Sequence, residues 1–243
     1  ALAAGRGALD PEGAHVLTGA RAGCVEELPV RRDPLIGSGA RPREVSLGGD
    51  PTPESPLGER FGWTAAVGDV NGDGYPDLAV TASYANAEGV GARTGRVNVY
   101  HGGGPDAGIF TGNPDRSLSN PSTNARFGIS LGAGDLNADG VADLLVSAND
   151  FQQIVRIYLG SPNGVGANVA ALTMSPVQDI HYDTAARISG DTDGDGIDDF
   201  VVGSALARRA YLFRGWSGRT PPPLIPATRF TGDTDTFFGI SCY

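Results

Sequence analysis

Three stretches of this sequence place oxygen-bearing side chains at a spacing that suits a metal ion. They are Asp69-x-Asn71-x-Asp73-Gly74-x-x-Asp77, Asp135-x-Asn137-x-Asp139-Gly140-x-x-Asp143 and Asp191-x-Asp193-x-Asp195-Gly196-x-x-Asp199. Positions 1, 3 and 5 converge when the chain turns tightly, and glycine at position 6 permits the sharp bend. Position 7 offers a backbone carbonyl, from Tyr75, Val141 or Ile197, and position 9 closes the set with Asp77, Asp143 or Asp199. Calcium is a hard cation that takes about 6–8 oxygens at roughly 2.3–2.6 Å, which this arrangement supplies. Three or four carboxylates in one turn repel one another unless a cation stands between them. A single copy would read as a solvated turn, since Asp, Asn and Gly are ordinary turn residues. Three copies in one Gly-Asp…Asp-apolar frame predict three calcium sites.

The chain around each loop alternates in the manner of strands. The loops begin 66 and then 56 residues apart, and a unit of about 60 residues fits a four-stranded propeller blade. Before the first two loops come Gly62–Val67 and Gly128–Ala133. After the three loops come the apolar runs Leu78–Ala82, Leu144–Ala148 and Phe200–Gly203. Alternating segments then follow, Arg96–Tyr100, Ile154–Tyr158 and Ala210–Phe213, ending at Gly102, Gly160 and Gly215. Period-2 patterning bounded by glycine marks strands and turns. Position 12 of each loop is a valine (Val80, Val146 or Val202) inside an apolar run, where a helical EF-hand would carry glutamate and a helix. The expected fold is all-β.

The order Phe61-Gly62 or Phe127-Gly128, then Gly-Asp, acidic loop, apolar run and Gly-bounded strand resembles the FG-GAP repeat of integrin α-subunit propellers, including bacterial secreted members. The third unit carries Ala185-Ala186 in the place of Phe-Gly. The resemblance covers roughly residues 58–243. It implies blades of four antiparallel strands, calcium in the loop joining the first two, and ligands at the residues named above. It divides the chain into an irregular segment 1–59, blades at about 60–125, 126–183 and 184–228, and a partial unit from 229 to 243 that begins at Arg229-Phe230 or Phe237-Phe238-Gly239. Propellers of the family usually have seven blades, so another chain, residues 1–59 or a longer parent protein would have to complete the array.

Composition agrees with many short strands and tight turns: 243 residues include 37 glycines, 17 prolines and only 7% aromatics. The formal net charge is −10, which disfavours a nucleic-acid partner. Ten of the aspartates stand at loop ligand positions, and three divalent cations would leave a charge of about −4. All 18 basic residues are arginine. No apolar run is long enough to span a membrane. Cys24 and Cys242 either form one disulfide, remain free or pair with other segments. His15, His101 and His181 share no spacing, no Gly-x-Ser-x-Gly elbow occurs, and Trp63 and Trp216 read as packing residues before they read as sugar platforms. The expected function is a calcium-binding, non-enzymatic adhesion or binding module, secreted or on the cell surface, for a protein or glycan partner. A subunit of a head-to-tail assembly of further copies, and a fragment of a propeller-fold carbohydrate-active enzyme, are the alternatives.

Overall fold

The computed structural model describes residues 59–86, 93–103, 113–119, 125–148, 154–166, 170–174, 185–204, 207–218, 220–223 and 225–232. The chain divides between Ser46 and Leu47, and every described residue belongs to the second unit. The expectations for residues 1–58, for the Cys24–Cys242 pairing, for His15 and His181, and for Phe237-Phe238-Gly239 all fall outside the described residues.

All twelve named elements are strands, and they form three four-stranded antiparallel sheets. The first holds β1 (Phe61–Gly68), β2 (Asp77–Ala82), β3 (Arg96–Tyr100) and β4 (Arg116–Ser119) in that order. The second holds β5 (Ser130–Gly134), β6 (Asp143–Ser147), β7 (Val155–Tyr158) and β8 (Leu172–Met174). The third holds β9 (Ala186–Gly190), β10 (Asp199–Ser204), β11 (Arg209–Phe213) and β12 (Thr228–Thr231). The register repeats as well, with Leu78 opposite Tyr100, Leu144 opposite Tyr158 and Phe200 opposite Phe213. These are propeller-like blades of four antiparallel strands, as the resemblance implies.

The sheets stack through two apolar layers. Between the first and second lie Val97, Val99 and Leu118 on one side and Phe127, Leu131, Leu144 and Val146 on the other. Between the second and third lie Leu145, Val155 and Ile157, facing Phe200, Val202, Tyr211, Phe213 and Trp216. The middle sheet is therefore covered on both faces. That is why β6, Asp-Leu-Leu-Val-Ser, is buried at every position instead of alternating.

Two expectations change. Arg229 and Phe230 do not open a fourth unit; they lie in β12, the outer strand of the third sheet, paired to Tyr211 and Ala210. The third sheet accordingly runs to Thr231, past the boundary expected at 228. In addition, each sheet has an outer strand (β4, β8 or β12) that the sequence pattern does not announce.

Candidate metal centres in the aspartate loops

Each acidic loop joins the first two strands of a sheet: 69–76 between β1 and β2, 135–142 between β5 and β6, 191–198 between β9 and β10. The local hydrogen bonding is nearly the same in all three. Asp69 takes the amide of Gly72 on Oδ1 at 2.6 Å and that of Gly74 on Oδ2 at 2.8 Å. Asp191 takes Gly194 and Gly196 at the same distances. Asp135 takes Asn137 and Asp139 at 3.2 Å and Gly140 at 2.8 Å. Position 5 repeats the device one turn on, with Asp73, Asp139 and Asp195 accepting from the amides of Tyr75, Val141 and Ile197. Left-handed backbone at positions 4 and 6 aims those amides inward. Gly72, Gly74, Gly140, Gly194 and Gly196 have φ between 71° and 88°, and Ala138 has φ 59°.

The structure brings positions 1, 3 and 5 together. In the third loop, one carboxylate oxygen from each of Asp191, Asp193 and Asp195 lies within 4.8 Å of the others, and all three residues are exposed. Arg214 brings a counter-charge to that cluster, its Nε lying 3.0 Å from Asp193 Oδ2. In the first two loops an asparagine replaces the middle carboxylate and donates to its neighbour. Asn71 Nδ2 reaches Asp73 at 3.0 Å and Asn137 Nδ2 reaches Asp139 at 3.2 Å. Backbone donors lower the Asp191 pKa, the amide of Gly196 most of all.

Position 9 has a different setting. Asp77, Asp143 and Asp199 are at most 1% exposed. Each spends one oxygen on the amide of position 2 in its own loop: Val70 at 2.9 Å, Leu136 at 3.0 Å and Thr192 at 3.0 Å. The other oxygen takes the glycine amide beyond the third strand: Gly102 at 2.8 Å, Gly160 and Gly215 at 2.9 Å. Thr192 also donates its hydroxyl to Asp199. Those glycines have no room for a side chain, since a Cβ would collide with the carbonyl oxygen of Pro76, Ala142 or Asp198. Burial raises the Asp77 pKa and pushes Asp143 up to about 7, against the lowering pull of the two amides. The loop pattern alone does not announce this brace between the loop and the third strand. The glycines that end the third strands were its only signal in the sequence.

The donor set fits a hard cation. It is all oxygen, and a carboxylate oxygen that accepts one amide retains a second lone pair. Position 7 carbonyls complete the candidate set at Tyr75, Val141 and Ile197.

The loops are also tied to one another. The carbonyls of Asp69 and Val70 accept from Ala142 and Ser161 of the second repeat, and those of Asp135 and Leu136 accept from Asp198 and Trp216 of the third.

The other residues singled out from sequence are dispersed. Trp216 is core and Trp63 is 47% exposed. Tyr100 is buried. His101 follows β3 at the loop end of the first sheet. Among the described residues no helix is long and apolar enough to cross a membrane.

Comparison with known proteins agrees with the repeat architecture. A family model for the FG-GAP repeat matches residues 61–100 and 127–167. Human integrin α-7 is 39% identical over 179 residues, covering 70% of this chain and 14% of that protein. Integrin α-PS5 of Drosophila melanogaster is 32% identical over 168 residues, 66% of this chain and 16% of that protein. Human phosphatidylinositol-glycan-specific phospholipase D is 32% identical over 162 residues, 61% of this chain and 19% of that protein. The chain thus spans less than a fifth of the length of each of these relatives.

Proposed function

From a chain that carries FG-GAP repeats and is homologous to integrin α-subunits, we propose a calcium-loaded extracellular binding module, secreted or displayed at a cell surface, that recognises a protein or glycan partner. The observation that carries the calcium reading is the repetition of one cradle three times, with three mutually close, exposed carboxylates in its third copy. Each loop would take one ion. Asp69, Asn71, Asp73 and Asp77 form the first candidate set, Asp135, Asn137, Asp139 and Asp143 the second, and Asp191, Asp193, Asp195 and Asp199 the third. The ion neutralises the carboxylates and stiffens the turn, so binding is linked to folding. The loop carboxylates are already fixed by backbone donors, an arrangement better suited to holding an ion than to moving a proton.

Metal stoichiometry of the purified chain, with thermal unfolding in calcium and in EDTA, tests this reading. About three ions per chain and a clear loss of melting temperature in EDTA are expected; no bound metal and an unchanged melt would overturn it.

A second reading, self-association head to tail, draws on the two ends of the stack. Phe230 occupies in β12 the register position of Leu118 and Met174, which are buried between sheets, yet it is 44% exposed; Val67 of β1 is 43% exposed. Sedimentation over a range of concentrations separates the two readings: a concentration-independent monomer excludes assembly.

A further inference from the structure

The ends of the strands away from the acidic loops carry a second constellation. Arg60 precedes β1, Arg93 precedes β3 and Arg126 precedes β5, so each stands where a strand leaves the far end of its sheet. All three have left-handed backbone, with φ of 53°, 57° and 47°. Backbone hydrogen bonds hold their segments together. The amide of Tyr84 donates to the Glu59 carbonyl, that of Gly95 to Ala85, that of Arg126 to Arg93 and that of Phe127 to Thr94, each at 3.0 Å.

The three guanidinium groups converge on one ring. The Arg60 guanidinium carbon lies 3.9 Å from the Tyr84 centroid, and those of Arg93 and Arg126 lie at 5.5 Å. Arg60 also lies 5.1 Å from the ring of Trp63, whose indole N–H is anchored on the Ile129 carbonyl at 3.2 Å. Cation–π attraction at a partly exposed ring is modest, and three like charges around it repel. Among the described residues none of the three is held in an ion pair with a carboxylate. This is a fixed concentration of positive charge with no carboxylate paired to it among the described residues.

We propose that Arg60, Arg93 and Arg126, packed on Tyr84 beside Trp63, bind the anionic group of an acidic carbohydrate, a sulfated or uronic-acid sugar. Guanidinium forks match carboxylate and sulfate oxygens bidentately. The exposed indole of Trp63 adds a flat apolar surface of ring size next to that charge, which a sugar ring matches and the side chain of an acidic peptide does not. The inference rests on the reading of the chain as a binding module and names its partner class. The site lies at the opposite ends of the strands from the calcium loops.

The test is calorimetric titration of the full chain in calcium with a heparin oligosaccharide and an oligogalacturonate, with a neutral cello-oligosaccharide and a polyglutamate peptide as contrasts. Binding of at least one acidic oligosaccharide is expected, weakening with salt, and absent for the neutral one. Arg60→Asn with Arg126→Asn, asparagine being at ease in left-handed backbone, is expected to weaken it tenfold or more. Trp63→Ala, at a half-exposed position, is expected to weaken it while the chain keeps a cooperative unfolding transition, and Arg93→Asn serves if the double variant fails to fold. Acidic sugar bound with unchanged affinity by these variants would overturn this site while leaving the binding-module reading standing. Polyglutamate bound in preference, with Trp63→Ala indifferent, would overturn the carbohydrate assignment in favour of an acidic peptide. No binding of any acidic probe would overturn the site outright, whereas a chain without calcium would overturn only the loop reading.

Discussion

The backbone carbonyl of Asp69 accepts a 2.8 Å hydrogen bond from the amide of Ala142, so the first aspartate loop is tied to the second with no side chain involved. Asp135 and Asp198 repeat the bond at 3.0 Å between the second loop and the third. Both donors occupy position 8, and in the first loop that position is Pro76, which has no N–H to give. The position therefore accepts the proline ring in this very loop geometry. Ala142→Pro is expected both to delete the inter-loop bond and to press its Cδ against the Asp69 carbonyl, lowering stability by more than the about 1 kcal/mol of the bond alone. Urea unfolding measures it. An unchanged midpoint would mean that the bond contributes nothing to the stacking of repeats.

Position 4 offers a change in the opposite direction. Gly72 and Gly194 hold φ of 71° and 82°, whereas Ala138 is forced to 59°. Left-handed backbone costs an L-residue roughly 1–2 kcal/mol, and glycine returns about 0.5–1 kcal/mol through its greater freedom when unfolded. Ala138 is exposed, so its methyl contributes little packing. Ala138→Gly is expected to stabilise the chain by about 0.5–1 kcal/mol, read as a shift of the urea midpoint at constant slope. A loss of stability would show that the left-handed alanine carries no strain.

Positions 5 and 9 separate what the fold needs from what the ion needs. Asp143→Ala leaves the amides of Leu136 and Gly160 without an acceptor at a fully buried site. Each buried orphan costs about 1–3 kcal/mol, so a loss of at least about 2 kcal/mol is expected even in EDTA. Asp139 is exposed, so Asp139→Ala is expected to change stability in EDTA by less than about 1 kcal/mol while removing the calcium-dependent increment of its loop. Unfolding of both variants with and without calcium checks the contrast. Equal losses for the two in EDTA would contradict the separation.

How far the sequence reveals this molecule depends on where the determining interactions lie. The acidic loops are legible because their hydrogen bonds close within a few residues, as Asp191 does on Gly194 and Gly196. The inner strands are legible because a repeated apolar run precedes a glycine that cannot carry a Cβ, such as Gly102. The outer strands are not. In β4 only Leu118 is buried, between polar neighbours, and β12 is exposed along its whole length, so their strand character comes from pairing with β3 and β11. The arginine cluster is hidden for the same reason: Arg60, Arg93 and Arg126 are spread over 66 residues and meet only when the first two sheets stack.

The buried brace also dictates how stability responds to pH once cations are stripped away. Asp143 titrates near 7 in the folded chain, because burial outweighs its two amide bonds, against about 3.9 when unfolded. Asp77 is raised in the same sense. Between those values the folded chain holds a proton that the unfolded chain has released, so stability falls as pH rises from about 4 to about 7 and levels off above. Asp191, lowered by its backbone donors, contributes oppositely, and its stabilisation is lost only as pH falls below the ordinary carboxylate range. The urea midpoint in EDTA is therefore expected to be lower at pH 8 than at pH 5. On the calcium reading the cation would take the place of the proton and bind the ionised form, so saturating calcium is expected to reverse that order. The same order with and without calcium would mean that no cation neutralises these loops.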